Sequence, residues 1–155
     1  MDGFAFAGEA LAGKYIGAKD GINLKLSIKA LFKWGLAMAI LFTTIYLLGG
    51  ASFLSFLSSD TMVINASTDY FYWAVAIPLC GVMAFTWDGI FIGATRTRDM
   101  LWSMAIAMLS FFTIYFAITP IWGNHALWLA FICYLIIRGV VLNIIYQRWP
   151  LLPNR

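Results

Sequence analysis

Asp88, Arg138 and Glu9 lie inside stretches that are otherwise apolar, and no other ionisable residue is placed so deep. A charge at the centre of a bilayer costs about 2.5–3.5 kcal/mol on insertion scales, so such residues face protein or water and commonly have a task. Counted from the ends of their segments, Asp88 lies about eight residues in, Arg138 eight or nine, and Glu9 nine or ten. At helical rise all three fall roughly 12–15 Å from one boundary. Charges from three helices at one level are expected to meet in one polar site.

Two chemistries compete for Asp88. A carboxyl withdrawn from water can load and release a proton or a coupling cation in a transport pathway. Alternatively it forms a buried ion pair with Arg138 that fixes helix packing and never titrates. The residues alone leave both open. Glu9 divides between a transport role and a satisfied or interfacial carboxylate. Arg138 reads as a charge partner, with Tyr134 on its face one turn away. Around Asp88, counting by three, four and seven, come Gly81, Ala84, Phe85, Phe91, Ile92 and Thr95, and the small ones are expected to leave room beside the carboxylate.

The elements that position these residues follow from composition. Hydrophobic residues make up 63% of the 155 and charged residues 11%, where a soluble domain carries about 25% charge. The fold class is therefore all-α integral membrane, one membrane domain over 1–155. Five apolar segments are expected, at about 3–18, 24–48, 70–94, 100–118 and 126–146. The first is short for a span. It holds a G-x-x-x-G step at Gly13 and Gly17, of the kind that lets helices pack closely in lipid. Lys25, Lys29 and Lys33 recur opposite Leu24, Ile28 and Leu31, the pattern of an amphipathic lead-in lying at a headgroup surface. Gly49-Gly50 is expected to end the second segment, followed by a polar loop over 51–69. Pro78 is expected to kink or loosen the third by removing one backbone bond, and Thr119-Pro120 to close the fourth.

Nine of the ten basic residues fall on one side: Lys14, Lys19, Lys25, Lys29, Lys33, Arg96, Arg98, Arg148 and Arg155. The positive-inside rule then puts the C-terminus in the cytoplasm and Met1 outside. Trp34, Trp102 and Trp149 mark the inner boundary, and Trp73, Trp122 and Trp128 the outer one, whereas Trp87 is displaced beside Asp88. Asp2 and Glu9 stand where a signal peptide needs basic residues. Cys80 and Cys133 read as packing residues. Asn65-Ala66-Ser67 fits a glycosylation acceptor that chance supplies often. His125, the single histidine, has no second metal ligand near it in sequence, and no hydrolase motif or phosphate loop is present. The reading is no enzyme, no metal, no cofactor and no nucleic acid.

GFAFAGEALAGKYIGAKD followed by WDGIFIGATRTRDM resembles the multidrug and toxic compound extrusion (MATE) family, in the branch of DNA-damage-inducible protein F. The resemblance implies helices eight to twelve of a twelve-helix, two-lobe antiporter of the inner (plasma) membrane. That antiporter exchanges organic cationic or amphipathic molecules for Na⁺ or H⁺ by alternating access. Asp88 matches the acidic position of the tenth helix, which in some relatives belongs to a cation site of the C-terminal lobe. Glu9 matches the acidic position common in the eighth helix of this branch. Nearby aromatics, with Trp87 and Tyr134 the candidates, would line the lobe's cavity. The first seven helices are missing, so the resemblance implies a C-terminal fragment whose partners are the bilayer and the absent N-terminal lobe, inactive alone. The reading from another class is a small membrane-embedded assembly or interaction subunit with Asp88–Arg138 as a packing pair.

Overall fold

The computed structural model describes residues 2–57 and 68–152, with backbone only for 51–57. Asp60 and the Asn65-Ala66-Ser67 triplet lie outside the described residues, as do Met1 and Arg155. Among the described residues five helices follow in order: α1 Asp2–Gly17, α2 Gly21–Leu57, α3 Phe71–Gly93, α4 Thr97–Trp122 and α5 His125–Arg148. Residues 21–50 of α2 and the whole of α3, α4 and α5 are long and apolar enough to cross a membrane.

The bundle is built around α3, which contacts α1, α2 and α5, while α4 lies mainly against α5. Ten residues of α3 are buried, from Val75 to Phe91, but α4 buries only Ser103 and Ala107. α1 runs parallel to α3, with Ala5 against Gly89 and Glu9 against Gly93. α5 is also parallel to α3, pairing Leu135 with Gly81 and Gly139 with Ala84. α2 is antiparallel to α3: Thr43 donates to the Val75 carbonyl at 3.3 Å, and Gly35 meets Val82 and Thr86.

The α1–α3 contact is the tightest. A Cβ added at Gly89 would overlap the Ala5 carbonyl oxygen, and one at Gly93 would overlap the Glu9 carbonyl oxygen. Lipid gives helices no hydrophobic reason to associate, so close backbone approach and dispersion must hold them. Here Gly89-Ile90-Phe91-Ile92-Gly93 supplies the approach. Of the expected step on α1, Gly13 takes part, an added Cβ meeting the Gly93 carbonyl oxygen at 3.5 Å, whereas nothing lies within 4 Å of a Cβ at Gly17.

Several boundaries differ from expectation. α2 breaks at Gly50 (φ 41°, ψ −130°) but resumes to Leu57, so the polar loop does not begin at 51. Its first turns are amphipathic as expected, with Lys25, Lys29 and Lys33 exposed. Leu24, Ile28 and Leu31 are buried in the core with Trp87 and Leu142, because α2 continues unbroken into the bundle. α3 is uninterrupted through Pro78. The Thr43 hydroxyl reaches the Val75 carbonyl, one residue from the Ala74 carbonyl whose helical donor proline removes. α4 passes through Pro120 and stops at Gly123 (φ 54°), with the Thr119 hydroxyl donating to the Tyr115 carbonyl in the last turn.

Asp20 caps α2. Its carboxylate accepts from the Asn23 backbone N–H at 3.0 Å and from the Asn23 side-chain amide at 2.6 Å. These bonds to the charged form, the backbone one first, hold the carboxyl below its ordinary 3.8. The cap is therefore intact above that value and is lost as pH falls through the depressed one. In Asp20→Ala, amide exchange at Asn23 should quicken at neutral pH; an unchanged rate there would show the cap to be idle. Gly89→Val should destabilise the protein by about 1–3 kcal/mol through overpacking, read as a lower midpoint of thermal unfolding in detergent. Gly17→Ala should leave that midpoint unchanged or raise it slightly.

Candidate functional site

α3 carries Asp88 on the side facing α5, and Gly139 lets α5 come close. A Cβ at Gly139 would meet the Ala84 nitrogen and the Met83 side chain at 3.0 Å. At that spacing the Arg138 guanidinium spans the gap, and its Nη2 lies 2.9 Å from Asp88 Oδ2. Both side chains are largely enclosed, at 14% exposure for Arg138 and 12% for Asp88. Arg138 Nη1 points to the Tyr134 hydroxyl oxygen at 3.4 Å, a long contact for a hydrogen bond.

The pair is held at one point rather than as a two-bond fork. Asp88 Oδ1 and Arg138 Nε are both buried and have no hydrogen-bond partner among the described residues. A carboxylate in a fork has both oxygens satisfied; this one keeps an acceptor oxygen uncommitted. A proton or cation arriving at Oδ1 would compete with Arg138 for the same charge. Conversely, removing either partner leaves a buried charge uncompensated, at about 3–5 kcal/mol.

Asp88 and Arg138 thus meet, as their equal depths predict, but Glu9 does not join them. Its side chain is exposed, and its backbone is level with Gly93, five residues or roughly 7.5 Å along α3 from Asp88. α1 sits lower than residue counting from its end suggests. Trp87 does not line a cavity. It is 2% exposed and packs in the core against Phe32 at 5.2 Å and Tyr146 at 4.7 Å between ring centroids. Core packing explains its distance from the boundary belts. Tyr134 is half-buried beside the pair. The small residues near Asp88 do not leave room either: the Phe85 ring and Leu135 fill the space at Gly81, and Gly139 sits against Ala84.

Sequence reading missed two positioning residues at the bundle's ends. Arg96 donates from Nη1 to the Trp149 carbonyl at 2.7 Å, pairs with Asp99 and lies 5.6 Å over the Phe91 ring. It thereby ties the α3–α4 turn to the end of α5. His125, just outside the expected fifth segment, begins α5. Its Nδ1 accepts from the Trp73 indole N–H at 3.1 Å, and its ring lies 5.0 Å from Tyr70. No spacing rule joins residues 52 or 53 apart. The glycine step at Gly89 and Gly93 has the same G-x-x-x-G spacing as Gly13 and Gly17, but sequence reading did not single it out.

The MatE family model matches residues 1–121. DNA damage-inducible protein F of Escherichia coli (strain K12) is 40% identical over 148 residues, which is 96% of this chain and 32% of that relative. The chain therefore spans about a third of the length of the curated relative it matches. No solved structure matches. A family-model match over more than three quarters of the sequence, laid over parallel and antiparallel apolar helices, leads to one assignment: the chain belongs to the MatE family.

Proposed function

We propose that this chain is the C-terminal part of a cation-coupled multidrug antiporter of the inner membrane, in which Asp88 takes up Na⁺ or H⁺ and Arg138 answers the change in charge. The observation that carries this reading is the half-committed carboxylate: Asp88 Oδ2 is held by Arg138, while the buried Oδ1 has no partner among the described residues. Loading Oδ1 weakens the hold of Arg138 and unloading restores it, which gives two states of one contact between α3 and α5. Family membership supports the transport class. Organic cationic or amphipathic substrates, alternating access and the need for the rest of the transporter belong to the proposal. Glu9, exposed and lower on α1, serves in this reading as a surface toward the remaining helices rather than as a second ligand.

A second reading rests on the same pair. Enclosure of both charges at 2.9 Å is also what a static packing device needs, as in a membrane-embedded assembly subunit. The test uses the full-length transporter that contains this segment. Asp88→Asn keeps the side chain's shape and should reduce ion-driven drug efflux at least tenfold, with the protein still folded. Efflux at wild-type rate would take Asp88 out of the mechanism.

A charge cycle separates the readings further. Arg138→Leu should destabilise by about 3–5 kcal/mol because Asp88 is left buried and unpaired. The double change Asp88→Leu/Arg138→Leu should recover most of that loss, measured by chemical unfolding in detergent. If the double variant is stable and still exports, the pair is packing alone.

A further inference from the structure

At the end of the bundle away from Arg96, α3 and α5 begin side by side, and a side-chain hydrogen bond joins them. The Trp73 indole N–H donates to His125 Nδ1 at 3.1 Å. Tyr70 lies 5.0 Å from the same imidazole and stacks on Trp128 at 6.0 Å between ring centroids. His125 is the first residue of α5 and Trp73 the third of α3, so the joint holds the starts of both helices.

Its chemistry turns on one nitrogen. A neutral imidazole has one donor and one acceptor nitrogen, an imidazolium has two donors, and indole can only donate. Accepting at Nδ1 therefore requires the neutral ring with its proton on Nε2. A second proton can go only to Nδ1, where it meets the indole N–H and abolishes the bond. It also puts a cation in the first turn of α5, at the positive end of the helix dipole, on a helix whose Asn124 makes no side-chain cap. The ring is partly exposed and follows the exposed Gly123 and Asn124, so protons have access to it.

Few charges surround it. Among the described residues, Tyr70 is the titratable group packed on the ring, and no carboxylate pairs with it. Asp69, beside Tyr70 in the chain, is exposed. The last turns of α4, 116–122, and the end of α2, 47–57, contain no ionisable residue.

We propose that the Trp73–His125 bond is an acid-released latch between α3 and α5. The neutral ring holds Trp73; the protonated ring releases it and stays against Tyr70, whose face accepts a cation. The bond belongs to the form with fewer protons. It is therefore present above the range in which imidazoles titrate, roughly pH 5–8, and is lost as pH falls through that range. The role of Asp88 does not enter this argument.

The test follows amide exchange of the purified chain in detergent at about pH 7.5 and about pH 5, either side of the imidazole range, with intrinsic exchange divided out. It reads Trp73 and Ala74, whose amides donate to the Tyr70 carbonyl, and Ala126 and Leu127, which donate to the Gly123 and Asn124 carbonyls. Their protection should fall at least about fivefold in acid, the scale of one hydrogen bond. Ala94 and Arg96, bonded to the Ile90 and Phe91 carbonyls at the other end of α3, should keep theirs. His125→Gln retains an acceptor and gains no proton, so its protection should be equal at both pH values. Trp73→Phe keeps a ring but loses the donor, and should be as open at neutral pH as the unchanged chain is in acid. An acid response that survives His125→Gln belongs to another group, such as Asp69, and would overturn the proposal. So would an equal loss at Ala94 and Arg96, or full protection of Trp73→Phe at neutral pH.

Discussion

One contact between opposite charges constrains the rest of this structure: Asp88 and Arg138 can be buried only because they face each other. Removing a carboxylate and a guanidinium from water costs several kcal/mol each, and mutual attraction offsets this only at close range and good geometry. A 2.9 Å approach therefore fixes the register of α3 against α5 to within a fraction of a turn. Gly139 against Ala84 follows from that demand, since any larger residue would push the guanidinium out of reach. The offset is incomplete, because one oxygen of Asp88 and one nitrogen of Arg138 lack partners among the described residues. A pair optimised for stability alone would satisfy both, and the proposed role of Asp88 rests on this shortfall.

The remaining packing serves α3. Its far side receives α1 through Gly89 and Gly93, backbone against backbone. Between them, Trp87, Ile90 and Phe91 fill the core with Leu24, Ile28 and Leu31 of α2. α4 contributes little to this interior. Leu101, Met104, Met108, Leu109, Phe112 and Phe116 are all exposed on it, and only a bilayer or further helices can accept such a surface.

How far the sequence could be read depended on how each signal is encoded. Asp88 and Arg138 stood out because a charge in an apolar run is costly, and their depths could be counted along helices of ordinary length. Glu9 failed the same count because α1 is staggered along α3, and stagger is set by where Gly89 and Gly93 admit a neighbour, not by where a helix ends. Trp87 was legible as misplaced but not as core, since burial depends on α2 and α5 packing around it. Neither proline ends its helix, for a related reason. Pro78 and Pro120 remove one donor each, and nearby threonines and neighbouring helices let the helix continue. Arg96 and His125 could not be found at all, because their partners are distant in sequence and generic in type: a backbone carbonyl and an indole N–H.

Those two end contacts decide how the central pair can respond to a change in charge. α3 is tied to α5 near one end by Trp73 on His125 and at the other by Arg96 on the Trp149 carbonyl. Sliding α3 along α5 to lengthen the Asp88–Arg138 contact would break both of these hydrogen bonds. What remains is rotation of the Arg138 side chain toward the Tyr134 hydroxyl, already its second neighbour, or a tilt of α3 and α5 together against α1 and α2. A tilt must pass through Gly89 and Gly93, where backbone contact leaves no soft side chain to absorb it. Any displacement there is handed directly to α1. The glycine seat, next to Asp88 at Gly89 and against the Glu9 backbone at Gly93, is therefore where, in the proposed mechanism, a change at Asp88 would pass to α1.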